Sequence, residues 1–172
     1  WVNSWYDPGK ERDAANTLIK LGADILAYAP SGISIVTMAE AQGVYTLGYY
    51  SDMSKFGPKT NLTSLVHTWG DYYIKEVEEV LAGRWKSKKV LGGLREGMIK
   101  MAPVNSAVTA DAREKMLVDE RAIIDGKLHP FAGPIYDQDG KERVAAGKIM
   151  TDDEMNNMNF LVKGVDGSMA KN

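Results

Sequence analysis

Apolar and polar positions follow two periods along this chain, one helical and one alternating, and the changeovers fall at glycine and proline. At the start, Trp1, Val2 and Trp5 suit a short strand. Asp7 then suits a helix N-cap and Pro8 the first helical position, where the missing N–H costs nothing. A helix is predicted over 8–21, with Ala14, Ala15, Leu18 and Ile19 on one narrow face and Gly22 as its stop. Residues 23–29 read as a mostly buried strand ended by Pro30-Ser31-Gly32, 33–42 as a second helix closed by Gly43, and 44–50 as a third strand. Strands separated in this way by helices are successive βαβ crossovers, which imply a parallel sheet with helices on both faces.

The same reading continues to the end of the chain. Residues 62–67 form a β-branched and apolar run that adds a strand. A helix is predicted over 69–82, with Ile74, Val77 and Leu81 marking its buried face, Glu76, Glu78 and Glu79 its solvated side, and Gly83 its stop. Residues 86–89 read as a solvated turn and 91–103 as one or two bent strands. A helix over 109–124 is capped by Thr109, lined by Met116, Ile123 and Ile124, and ended by Gly126. A hairpin is predicted from 131–138 and 141–144 around Asp139-Gly140. Thr151-Asp152-Asp153-Glu154 is a capping box for a short last helix, and 160–162 reads as a closing strand. The fold class is therefore α/β, a Rossmann-like parallel sheet flanked by helices over 1–90, completed by crossover and closing segments over 91–172.

Composition narrows the functional classes. With 172 residues, 44% hydrophobic and 26% charged, the chain is ordinary for a globular protein of about one domain. A formal net charge of -2 with scattered Lys and Arg supplies no basic stripe, so nucleic acid is not expected as a partner. Cysteine is absent, which excludes disulfides, thiol catalysis and cysteine-ligated metal. No cofactor or metal site is expected.

Candidate chemistry lies at the strand ends. In parallel α/β sheets ligands sit beyond the carboxyl ends of the strands, and three loops leave that edge here: Trp5-Tyr6, Pro30-Ser31-Gly32, and Tyr50-Ser51-Asp52-Met53. Trp5 serves either to cap a core or to meet a ligand. Ser31 and Gly32 open the second helix, whose free N–H groups and positive dipole end favour a carbonyl, carboxylate or phosphate oxygen; an ordinary N-cap is the plainer alternative. His67 ends a strand, where it is either a structural residue or a hydrogen-bonding ligand.

Several motifs resemble a known family. Trp5-Tyr6-Asp7-Pro8-Gly9-Lys10-Glu11, Gly22-Ala23-Asp24, Ser51-Asp52-Met53, Leu62-Thr63-Ser64, Gly97-Met98-Ile99-Lys100-Met101-Ala102-Pro103, Gly133-Pro134-Ile135 and Gly164-Val165-Asp166-Gly167 are similar to those of the basic membrane lipoprotein family. Its members are type I periplasmic-binding-protein-like subunits of ABC importers, several of which bind purine nucleosides or nucleobases. The resemblance implies that this chain is one lobe, the C-terminal ligand-binding one, of a two-lobed binder that closes on its ligand and performs no chemistry on it. It implies as partners a small-molecule ligand (a purine base or nucleoside), an ABC transporter permease and an N-terminal lobe of the same protein. A periplasmic or otherwise extracytoplasmic location is implied too, with a lipid anchor as one form of it.

Trp5 matches the family position where an aromatic ring stacks on the purine. The chain departs from the nucleoside-binding pattern at two places, with Gly48-Tyr49-Tyr50 where an acid closes the strand and His67 where a lysine follows Thr-Ser. The candidate ligand-binding set is Trp5, Tyr6, Ser31, Gly32, Tyr50, Asp52 and His67. Two other classes stay open: a ligand-sensing regulatory domain of the same fold, and a nucleoside-processing enzyme, which would need a cluster of acids or a metal set on the strand-end loops.

Overall fold

The computed structural model describes residues 2–169. The first helix, α1 (Pro8–Lys20), begins as its cap predicts: the Asp7 carboxylate accepts from the Lys10 N–H at 3.1 Å, and Pro8 occupies the first turn. Ahead of it no strand forms. Residues 2–5 are coil and bends, with Asn3 at φ 50°, and Trp1 lies outside the described residues. A strand needs a neighbour to complete its ladder, and the hydrogen bond recorded from this segment to the sheet side is one, from Ser31 N–H to the Trp5 carbonyl.

The sheet then assembles from β1 (Ile25–Ala27), β2 (Tyr45–Gly48), β3 (Asn61–His67) and β4 (Ile99–Met101) in that spatial order. The first three are parallel and β4 runs antiparallel against β3, pairing Leu65 with Met101 and His67 with Ile99. Between β1 and β2 lies α2 (Ser34–Gln42), which ends at Gly43 in the left-handed conformation, φ 71°. Connecting two parallel strands obliges α2 to cross a face of the sheet. It packs there with α1 over Leu26, forming a core of Ala15, Leu26, Ile35 and Ala39. This is a parallel sheet flanked by helices, but the recorded packing differs from the expectation of helices on both faces. Alternation turns Leu26, Thr46 and Gly48 to the covered side, while Ile25, Tyr45 and Leu47 are exposed.

After β3 comes α3 (Gly70–Leu81), and here the sequence expectation fails. Ile74, Val77 and Leu81, whose spacing predicts a buried face, are 60%, 57% and 83% exposed, and α3 contributes no buried residue. The chain continues through β4 into α4 (Ala110–Ile124), within which it passes from one compact unit, Trp1–Val118, to a second, Asp119–Asn172. Met116 and Ile123 on α4 are half-buried and Ile124 is exposed, so this helix too buries nothing fully.

The second unit is built on a two-stranded antiparallel hairpin, β5 (Ile135–Tyr136) and β6 (Glu142–Val144), whose turn contains Gly140 at φ 79°. Asp137 is its buried pin: the carboxylate accepts from the N–H groups of Asp139 and Lys141 and from Arg143 Nε at 2.6 Å. Arg143 in turn lies 5.0 Å over the Phe160 ring. The last helix, α5 (Asp152–Asn156), carries the predicted capping box between Thr151 and Glu154. The strand expected over 160–162 is reduced to one bridge, Val162 to Asp137.

Candidate functional site

The carboxyl ends of β1, β2 and β3 share an edge because the three strands are parallel neighbours. Ser31 and Gly32 follow β1, Tyr50 and Asp52 follow β2, and His67 is the last residue of β3. The predicted residues gather there in two groups.

In the first group the segment before α1 lies on the loop after β1. Ser31 N–H donates to the Trp5 carbonyl at 2.9 Å. A Cβ on Gly32 would stand 3.3 Å from the Tyr6 ring and 3.1 Å from Glu11 Oε2, so glycine is what lets the two segments approach. Trp5 and Tyr6 remain 71% and 66% exposed, which leaves both rings available. Ser31 and Gly32 do not cap the helix. α2 begins at Ser34, its cap position is Ile33, and no side chain caps it.

The second group is aromatic. The rings of Tyr50 and His67 meet edge to face at 4.9 Å, and His67 N–H donates to the Tyr50 carbonyl at 3.1 Å. Tyr49 approaches Tyr50 at 4.3 Å and His67 at 5.4 Å, and Trp69 stacks on His67 at 4.8 Å with 13° between the planes. Tyr50 holds φ 71°, a left-handed backbone that costs an L-residue about 1–2 kcal/mol, and the His67 contacts offset part of that. Asp52 turns to its own loop: its carboxylate accepts from Ser54 N–H at 2.9 Å.

The Tyr50 loop is fixed from beneath by buried polar groups. Ser64 Oγ accepts from Met53 N–H and from Asn61 Nδ2, both at 3.1 Å, and Thr46 Oγ1 donates to Asn61 Oδ1 at 3.2 Å. Gly48 makes room for this network: a Cβ there would collide with Ser64 Oγ and stand 2.9 Å from Met53 Cγ. Among the described residues no hydrogen bond or ring contact joins the two groups.

Three contributors escaped the sequence reading. Tyr49 and Trp69 complete the aromatic group, and Trp69 was assigned only to the start of a helix. Glu11 is 1% exposed; its signal was its place four residues before Ala15, on the narrow buried side of α1. Close by, the Tyr28 hydroxyl is buried without a hydrogen-bond partner among the described residues, and burial, then the Glu11 charge, push its pKa up to about 12. The Asp7 carboxyl is held below its ordinary value, chiefly by the Lys10 N–H it caps.

This arrangement offers exposed aromatic faces with hydroxyl, imidazole and backbone groups at a sheet edge, which suits holding a flat ring. Comparison with known proteins agrees with a binding role. The sequence profile of a family described as ABC transporter substrate-binding protein PnrA-like matches residues 1–130. A purine-binding protein of Brucella abortus is 43% identical over 99% of this chain and 49% of its own length. A Haloferax volcanii protein named for glucose binding by an ABC transporter is 28% identical over 98% of this chain and 41% of its own. Among solved structures, a transcriptional activator of the comK gene from Bacillus halodurans superimposes with a TM-score of 0.67 at 24% identity, over 76% of this chain and 47% of that one. The chain spans about half the length of the curated relatives it matches.

Proposed function

Because the chain belongs to the family of PnrA-like ABC transporter substrate-binding proteins, we propose that it is the ligand-binding part of an importer that takes a purine base or a similar planar heterocycle. The observation that carries this reading is Trp5, an indole 71% exposed yet tied by its carbonyl to Ser31 at the carboxyl edge of the sheet. Stacking on such a ring is worth about 1–3 kcal/mol per base. The name of the 43% identical Brucella relative supports the ligand class.

Selectivity follows from Tyr50 and His67. An acid and a lysine would grip ribose hydroxyls with charge-assisted hydrogen bonds of about 1.5–3 kcal/mol each, whereas Tyr50 and His67 offer a hydroxyl, an imidazole and more bulk in place of that pair. A site that never reaches for a hydroxyl does not reject a ligand lacking it, so the free base is preferred over its nucleoside. Ser31 and the Gly32 backbone supply polar contacts to the base edge, Tyr6 flanks the ring, and Asp52 braces the loop that presents Tyr50. The chain acts on the ligand by binding alone. Its partners are a second lobe that closes over the ligand, which raises affinity by desolvating each contact, and an ABC permease; its place is outside the cytoplasm. No helix among the described residues is long and apolar enough to cross a membrane.

Competition calorimetry on the intact protein tests the reading, with adenine, adenosine and glucose as ligands and Trp5→Ala as the variant. Adenine should bind more tightly than adenosine, glucose should not compete, and Trp5→Ala should weaken adenine about 5- to 150-fold, the equivalent of the stacking energy. Tighter adenosine binding would remove the selectivity, a preference for glucose would replace the ligand class, and unchanged adenine affinity in Trp5→Ala would remove the stacking role.

A further inference from the structure

Glu11 is a buried carboxylate with no cation beside it among the described residues. It is 1% exposed, and among the described residues no Lys, Arg or His pairs with it. An ion in that position is costly unless donors surround it. They do. Oε1 accepts from the Asp7 N–H at 2.9 Å, and Oε2 accepts from the Ser34 hydroxyl. Asp7 is the N-cap of α1 and Ser34 the first residue of α2, so the carboxylate also sits at the positive ends of two helices.

The consequence is geometric. Trp5 and Tyr6 immediately precede Asp7, and Gly32 lies two residues before Ser34, with Glu11 Oε2 and the Tyr6 ring both against it. One side chain thus ties the beginnings of the two segments that carry the first group of candidate ligand contacts. Without it, what remains between them among the described residues is the hydrogen bond from Ser31 N–H to the Trp5 carbonyl and the approach of the Tyr6 ring to Gly32.

We propose that Glu11 is a positioning residue for ligand binding: by clasping the starts of α1 and α2 it holds the Trp5-Tyr6 segment against Ser31-Gly32, and so sets the orientation of the stacking indole without touching the ligand. The affinity part of this rests on the purine-binding reading above; the ordering of Trp5 does not. Glutamine in place of Glu11 keeps an acceptor for the Asp7 N–H and can donate to the Ser34 oxygen, so the clasp survives loss of charge. Alanine cannot make it at all.

The test labels the intact protein with 5-fluorotryptophan and reads the fluorine resonance of Trp5 against those of Trp69 and Trp85, with adenine affinity measured in parallel. Glu11→Ala should shift and narrow the Trp5 resonance alone and weaken adenine about tenfold, Glu11→Gln should restore most of both, and in a Trp5→Ala background Glu11→Ala should add less than about twofold, because the lost orientation has nothing left to orient. Should Glu11→Ala not fold, Ser34→Ala removes one of the two donors at small cost in volume and should move the same resonance in the same direction. An unmoved Trp5 resonance, a shift shared equally by Trp69 and Trp85, or losses of affinity that add in full would each overturn the proposal. If the unaltered protein binds no adenine, the purine reading falls, and the fluorine signature still decides the role of Glu11.

Discussion

Two helices of the first unit, α2 and α3, show opposite relations between pattern and burial. α3 carries Tyr73, Ile74, Val77, Val80 and Leu81 at helical spacing, and all five are 56–83% exposed. α2 has a less regular face, Ser34-Ile35-Val36-Thr37-Met38-Ala39, and buries four residues of it, Val36 and Ala39 completely. Connection explains the difference. α2 joins the parallel strands β1 and β2 and must return across the sheet, which lays it over Leu26. α3 joins β3 to the antiparallel β4, and that link does not oblige a helix to cross a face. Periodicity names the side of a helix that is able to be buried. Topology decides whether it is.

The largest test of this contrast is Val36→Asp. Val36 is 0% exposed, and its Cγ2 would stand 2.7 Å from a Cβ on Gly57, so a carboxylate there has neither water nor partner. A loss of about 4 kcal/mol or more is expected, visible as a chain unfolded in the absence of denaturant by circular dichroism. A well-folded Val36→Asp protein would mean that the α2 face is open and the contrast with α3 is false.

Next in size is Gly48→Ala, which asks whether the covered face of the sheet is as tightly built as the face of α2 against it. The added methyl meets Ser64 Oγ and Met53 Cγ, displacing the acceptor on which Met53 N–H and Asn61 depend. About 1–3 kcal/mol should be lost in urea unfolding, and with it the placement of the Tyr50 loop. Wild-type stability would show that the network beneath that loop yields.

Legibility in the sequence followed the same division between local and long-range causes. Element identity was readable wherever a local device fixed it: Asp7 and Pro8 at the head of α1, Gly43 at the tail of α2, Thr151 with Glu154 at α5. Carboxyl-edge placement of Ser31, Tyr50, Asp52 and His67 also follows from local reading, because successive βαβ units leave their loops on one edge. What stayed hidden depends on partners distant in sequence. Among the described residues the segment at the N-terminus has no neighbouring ladder and the apolar face of α3 is exposed, and Glu11 looks like a solvated helix charge until Ser34 is brought to it. Trp69 joins the aromatic group through His67, which ends β3 and stacks on its ring.

A smaller effect comes through Glu40, the carboxylate that α2 extends to the loop before β3. It accepts from Thr60 Oγ1 at 2.7 Å, from Thr60 N–H at 2.9 Å and from Lys59 N–H at 3.1 Å. The Thr60 hydroxyl bond is the main reason its pKa lies below the ordinary 4.5. A depressed folded pKa contributes stability that is whole above the unfolded value and fades as pH falls through the folded one. Thermal midpoints measured from about pH 4.5 downward should therefore fall more steeply for the unaltered chain than for Glu40→Gln, with little difference between the two above that pH. Parallel curves would show that α2 is not held to that loop by charge.

The smallest expected effect tests α3 itself. Val77 and Leu81 are 57% and 83% exposed, so replacing either with lysine, whose stem can cover the same surface, costs little buried area. Val77→Lys also exchanges a β-branched residue for a better helix former, worth a few tenths of a kcal/mol in an exposed turn. Each variant should keep its urea midpoint to within about 0.5 kcal/mol, with an unchanged slope against denaturant. If Val77→Lys instead costs about 2 kcal/mol or more, a covering surface is present on that face in solution. The amphipathic pattern would then have been right, and the difference between α2 and α3 would lie in what covers each helix rather than in how it is connected.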